Sequence, residues 1–298
     1  MALNDDWKSE NRAVEVLKQL QITSLPVDPF HIAGRRDILV QENPSLSSGI
    51  SGCLMKVGDN FGIIYSSRFS SEGFKRFTVA HELGHYFMDG HALHLFPSGQ
   101  GMHQSESGFI SKDSYEREAD AFAASLLMPK HLFKDAIAKA GQGLEAIEYL
   151  SNLCGTSLTA TAIRYAKLCE DDVAVVCSTG SKVDFAFMSD SLRARPNLTW
   201  IRKGTGLTAN CPTAKFNNDT SNVLSGKRAC DTADLGDWFT GGDGEVTEEI
   251  VGLGEYGRTL TVLSVDEQNA SPDPDDQPEN EDEMLLPSER FYRKSRYD

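Results

Sequence analysis

Between Phe74 and Met88 a helical apolar pattern (Phe77, Ala80, Leu83, Gly84, Phe87) carries two histidines and a glutamate in its middle: His81, Glu82 and His85. A helix that buries one side must find partners for the ionisable groups it takes inside, so this stretch constrains the fold more than any other. His81 and His85 stand four residues apart, about one turn, so both imidazoles project from one face and can hold a single metal ion. Glu82 lies about 100° round the axis from His81. That is beside the pair rather than between them, where a general base belongs. The pattern is HExxH, and Asp89-Gly90 supplies a stop directly after it.

Two histidines do not complete a catalytic zinc site, which takes three protein ligands and keeps a position open. The next helical pattern, Ala119, Phe122, Ala123, Leu126 and Leu127, has Asp113 as its cap and Pro129 as its end. Glu116 and Asp120 lie one turn apart at the edge of that apolar stripe. Glu116 is a candidate third ligand, and Asp120 a candidate acceptor for the outer nitrogen of a ligating histidine. Glu118, about 200° from Glu116 round the same helix, is expected to face solvent. His91 competes for the third place, because it follows His81 by ten residues, as the third His does in the longer HExxHxxGxxH motif. Met88 stands where that motif has its glycine, and Gly90 comes two residues later, which leaves less room to turn back. If it is not a ligand, His91 reads as a loop residue near the substrate. His91, His103 and Tyr86 are the candidates for contacting substrate or steadying an oxyanion, with His94 and Tyr115 behind them.

Around this site the chain reads as α+β. Val14, Leu17 and Leu20, joined by Trp7 and Ala13, outline an amphipathic first helix. Ile50 to Val57 and Phe61 to Ser66 flank Gly58-Asp59-Asn60 as a hairpin. Residues 90 to 112, rich in Gly, Ser and His, read as one long loop. From Lys130 to Leu168 the pattern is helical. Leu144 to Leu153, Gly155-Thr156-Ser157 and Leu158 to Leu168 have the shape of a helix-turn-helix, but the second helix offers a phosphate backbone only Arg164 and Lys167. Direct DNA binding is therefore not expected. After Glu170-Asp171-Asp172 come the β-like runs VAVVCST, VDFAFMS, LTWIRK and TLTVLSV.

The formal net charge is −15, but nine acids fall between Asp266 and Glu283 with no Lys or Arg among them. The body of the chain is left with a modest net charge of about −6, which argues against a duplex-wrapping surface. The stretch with those acids also holds Pro272, Pro274 and Pro278, and reads as a disordered tail. Six cysteines are scattered without CxxC spacing, as in a reduced protein. No apolar run has the roughly 20 residues of a membrane span, and MALNDDWKSE lacks the order of a secretory signal. The expected address is the cytoplasm.

Three separated segments, SLPVDPFHIAGRRDILV, RFTVAHELGHYFMDGH and EREADAFAASLLMP, resemble in order the ImmA/IrrE family of cytoplasmic metallopeptidases, over about residues 10 to 170. The resemblance implies a zincin-like core with a small β-sheet and an active-site helix. It places His81, His85 and Glu116 on zinc, with manganese as the alternative ion, and Glu82 as base. It implies a protein substrate, a helix-turn-helix transcriptional repressor cut to switch on stress or mobile-element genes. The expected organisation is a metallopeptidase domain at 1–140, a helical connector at 141–170, a β-rich C-terminal domain for sensing or docking at 171–265, and the acidic tail at 266–298. The scissile segment is expected to pair as an added strand along FGIIYSS. The rival reading is a metal-containing DNA-binding or protein-interaction regulator without proteolytic activity.

Overall fold

Ser9, Ala13, Val16 and Leu17 line the buried side of the first helix, α1 (Leu3–Gln19). Trp7 does not join them: six residues before Ala13 it falls about 120° off the stripe, and it is 67% exposed. The computed structural model describes residues 3–47, 49–67, 71–106, 113–199 and 201–265, and the expected acidic tail lies outside them. No helix among the described residues is long and apolar enough to cross a membrane.

After α2 (Pro29–Gly34), capped by the Asp28 side chain, come β1 (Leu39–Asn43), β2 (Ile50–Val57) and β3 (Asn60–Ser66). The next elements are α3 (Glu72–Phe87), α4 (His91–Leu95) and β4 (Gly101–Glu106). The four strands form one sheet in the order β1-β3-β2-β4, and β2 and β3 are the expected hairpin. Two expectations change here. FGIIYSS is β3, an interior strand paired with β1 on one side and β2 on the other, so it has no edge to offer; among the described residues the outer edges belong to β1 and β4. The stretch 90–112 is not one loop either, since α4 and β4 both come from it, while 107–112 lie outside the described residues. β4 escapes sequence reading because its inward residues, His103 and Ser105, are polar, and only its pairing with β2 makes it a strand.

Across this sheet lies α3, packed in turn on α5 (Ser114–Leu127). An added Cβ on Gly84 would sit 3.0 Å from Ala119 Cα, so the glycine inside HELGH is what lets the two helices approach backbone to backbone. On the other side of α5 runs α1, with Arg12 Nε donating to the Phe87 carbonyl at the end of α3. Three helices follow: α6 (Lys130–Ala140), α7 (Gly143–Cys154) and α8 (Leu158–Leu168). The α7–α8 hairpin has the expected shape, with Gly155 in the left-handed region ending α7 and Ser157 capping α8. Its second helix is buried along Thr159, Ala160, Thr161, Ala162, Tyr165 and Ala166, and Arg164 is held by Glu10 and by the Met128 carbonyl.

The remaining chain forms β5 (Val173–Thr179), β6 (Lys182–Met188), α9 (Asp190–Ala194), α10 (Pro212–Asn217), α11 (Thr220–Leu224), β7 (Arg228–Asp234), β8 (Glu245–Gly252) and β9 (Thr259–Ser264). The five strands make an antiparallel sheet in the order β6-β5-β9-β8-β7. LTWIRK forms no strand among its described residues, whereas β7 and β8 were not expected. The seven residues of β7 lie on the exposed edge, and β8 carries a buried acid, Glu248, so neither shows apolar alternation. The two faces of this sheet enter different cores. Val173, Val175, Leu260 and Val262 join the core of α3, α5, α7 and α8, while Ala174, Val176 and Leu263 pack with Leu192, Trp238 and Phe239. Adjacent glutamates on β8 secure both sides: Glu248 accepts from the Thr213 N–H in α10 and from Trp238 Nε1–H, and Glu249 accepts from the Leu144 N–H at the start of α7.

Candidate metal centre

Within α3, successive turns bring His81 Nε2 and His85 Nε2 to 3.1 Å from each other. The close crossing at Gly84 and Ala119 brings Glu116 of α5 over the pair, its two oxygens 3.2 Å from His81 Nε2 and 3.3 Å from His85 Nε2. Zinc in a tetrahedral site keeps its nitrogen and oxygen ligands at about 2.0–2.1 Å, so neighbouring donor atoms lie about 3.3 Å apart. The three donor groups match that spacing, and they form the one cluster able to hold a metal ion among the described residues. One carboxylate and two imidazoles also suit the borderline character of zinc.

Each imidazole has a partner on its outer nitrogen. His81 Nδ1 is 2.8 Å from Asp120 Oδ1, one turn beyond Glu116 on α5. His85 Nδ1 is 3.1 Å from His91 Nδ1, and His91 Nε2 is 3.3 Å from Glu118 Oε2. Two expectations are corrected by this arrangement. His91 is not a loop residue: it opens α4, is fully buried, and meets His85 from the side away from His81 and Glu116. Glu118 does not face solvent, because α1 crosses that side of α5 and brings Lys8 Nζ to 3.4 Å from its carboxylate.

Glu82 is wholly buried, and neither of its oxygens meets a well-formed hydrogen-bond partner among the described residues. Gly52 on β2 makes room for it, since a Cβ there would lie 2.7 Å from Glu82 Oε1 and 2.5 Å from Thr78 Cγ2. Burial pushes the Glu82 carboxyl up to about 7, against the pull of the His81 charge. Burial also works to raise Glu116, but the imidazoles of His103, His81 and His85 around its oxygens hold it far below the usual carboxylate range. Desolvation opposes a charge on His81 too, yet Asp120 and Glu116 outweigh it and push the imidazole up to about 10. Burial and the neighbouring His81 charge bring His85 down to about 3, despite Glu116. The site thus holds an ionised carboxylate beside an acid poised near neutrality, the environment a proton-transfer group requires.

Of the other candidates, His103 is at the centre. It projects from the edge strand β4, partly exposed, with Nε2 2.9 Å from Glu116 Oε1. Tyr86 turns away to pack edge-on against Phe61 and Phe87. His94 stacks on Tyr115 at 4.0 Å between ring centroids, and Tyr115 also meets His91 edge-on. Sequence reasoning missed Gly52 and the support from Lys8 and Ser9 of α1, the latter donating from Oγ to the Glu118 carbonyl. A glycine within a strand pattern signals a close approach, which is the one hint of Gly52 in the sequence.

Residues 33–165 match the family of the IrrE N-terminal-like domain, a peptidase family. A search of curated proteins gives no match. Among solved structures, a Mycobacterium tuberculosis transcriptional regulator is similar in fold, with a TM-score of 0.55 and 12% identity over 89% of this chain and 77% of that one.

Proposed function

We propose that this chain, whose residues 33–165 belong to the ImmA/IrrE family of metallopeptidases, is a zinc-dependent endopeptidase acting in the cytoplasm on a protein substrate. The observation that carries the reading is the wholly buried Glu82 beside the His81, His85 and Glu116 donors. His81, His85 and Glu116 hold the ion, with manganese the alternative to zinc, and Asp120 orients His81. When bound, the ion supplies Lewis acidity, lowering the pKa of water and polarising a peptide carbonyl. Glu82 accepts the proton of the attacking water and later delivers it to the leaving amine. The wall formed by Gly52 and Thr78 keeps bulk water from Glu82. His103, whose Nε2 lies 2.9 Å from Glu116 Oε1 at the edge of the donor set, would donate to the developing oxyanion. A peptide paired along the outer edge of β4 would pass beside His103, with main-chain hydrogen bonds giving affinity without demanding one sequence.

The substrate we favour is a helix-turn-helix repressor, with the sheet at 171–265 serving docking or sensing and 141–170 as its connector to the catalytic segment at 1–140. The second reading, a regulator that binds DNA itself, draws on the likeness in fold to a transcriptional regulator. The burial of α8 and the engagement of Arg164 by Glu10 count against it, because a recognition helix must offer a free face to a groove. Mass spectrometry of repressor-sized cell proteins incubated with the full chain tests the proposal. Fragments produced by the wild type and not by Glu82→Gln are expected. Identical fragment sets, or none, would remove the peptidase reading.

A further inference from the structure

His85 is held from behind by a chain of groups that ends on another helix. Its Nδ1 faces His91 Nδ1 at 3.1 Å, His91 Nε2 faces Glu118 Oε2 at 3.3 Å, and Lys8 Nζ lies 3.4 Å from the same oxygen. Both imidazoles are wholly buried. A carboxylate only accepts, so His91 Nε2 carries the hydrogen it donates to Glu118. In neutral His91 the Nδ1 is then a lone pair, and it can take part only by accepting from His85 Nδ1–H. That assignment leaves the lone pair of His85 on Nε2, the atom 3.1 Å from His81 Nε2 and 3.3 Å from the Glu116 carboxylate. No other arrangement of neutral rings satisfies both contacts of His91, and the lone pair of His85 Nε2 is left facing the space it shares with His81 and Glu116.

We propose that His91 and Glu118 are a positioning pair that fixes His85 as its Nδ1–H tautomer and so directs Nε2 to the ion shared with His81 and Glu116. The inference rests on the metallopeptidase reading and deepens it. It gives His85 the service that Asp120 renders His81, using a histidine as relay because Glu118, about 200° round α5 from Glu116, cannot reach the inner side of α3 itself. It also gives α1 a part in the site. Lys8 Nζ lies 3.4 Å from the Glu118 carboxylate, and Ser9 Oγ donates to the Glu118 carbonyl at 3.0 Å, although both precede residue 33, where the family match begins. A histidine kept only for packing would have no need of aligned partners on both nitrogens.

Zinc affinity of the full chain, measured by competition with a chelator, tests the pair. His91→Phe keeps the ring and removes the acceptor, and is expected to weaken zinc binding about 10–100-fold with helix content unchanged. His91→Asn returns an amide oxygen near the position of Nδ1 and is expected to recover most of that loss, which a space-filling role would not produce. Unchanged affinity in His91→Phe, or no recovery in His91→Asn, overturns the proposal. If His91→Phe does not fold, NMR of the zinc-loaded wild type decides: a scalar coupling between the Nδ1 atoms of His85 and His91 across the shared hydrogen is expected, and its absence rejects the pair. His81→Ala and Glu116→Ala separate the two readings. If they also retain full zinc affinity, the metal site itself is wrong; if they lose it while His91→Phe does not, only the positioning pair falls.

Discussion

Glu82 is a wholly buried acid, and burial outweighs the neighbouring His81 charge and the Ser105 hydroxyl to raise its carboxyl from the ordinary 4.5 to about 7. The folded protein therefore binds this proton more tightly than the unfolded chain does. The stabilisation that results is fully present below about pH 4.5 and is lost as pH rises through about 7. Glu82→Gln keeps the shape and removes the buried charge. In chelator-treated protein at pH 8 the variant is expected to be more stable than wild type, by up to about 3 kcal/mol, and the difference should close towards pH 5. The same variant should lose proteolysis and keep its metal, since Glu82 is not among the three donors. Urea unfolding at the two pH values, with metal analysis and a cleavage assay, checks all three. A variant that is less stable than wild type at pH 8 would mean that Glu82 has a partner in the fold.

What α3 and α5 accomplish together depends on how near they come. Substituting alanine for glycine within an isolated helix adds roughly 1 kcal/mol of stability. At Gly84 the added methyl would meet Ala119 backbone at 3.0 Å, and neither helix can yield without tilting α5 away from α3. Overpacking of that kind costs about 1–3 kcal/mol, so packing outweighs propensity. Because Glu116 rides on α5 while the histidines ride on α3, the tilt opens the donor set as well. Gly84→Ala is expected to unfold at a lower temperature and to bind zinc about tenfold more weakly or worse. Calorimetry and chelator competition read the two effects separately, and a variant with raised stability and unchanged affinity would show that the helices do not need the glycine.

In the whole molecule the C-terminal sheet is a wall of the same core that supports the metal centre. Tyr165, Ile147 and Leu150 from the helical hairpin share one buried cluster with Val173, Val175, Val251, Leu260 and Val262. Burying each such side chain is worth about 1.5–3 kcal/mol, and five of them together are comparable to the whole stability margin of a domain. A chain ending at Asp171 is expected to lose cooperative unfolding and to aggregate, where an autonomous catalytic domain would remain folded. Circular dichroism melting and size-exclusion chromatography of that truncation distinguish the two outcomes. The amide cap from Glu249 to Leu144 makes the same point on a smaller scale, since α7 starts on an acceptor that the far sheet supplies.

Local pattern was enough to find His81, Glu82 and His85 on one helix and Glu116 with Asp120 on the next, because helical periodicity is a property of neighbours in sequence. The hairpin of β2 and β3 and the turn between α7 and α8 were legible for the same reason, and family resemblance covered the segment the domain match now spans. Strands whose inner faces are polar were not legible. β4 with His103, and β8 with Glu248, exist because a distant strand pairs with them, and no alternation announces such pairing. Edge and interior could not be told apart either, so β3 was expected to receive substrate and β4 is the strand with the outer edge. Whether a polar side chain faces water or a partner depends on what crosses it. Periodicity put Glu118 on the outer face of its helix, and only the docking of α1 made that face an inside.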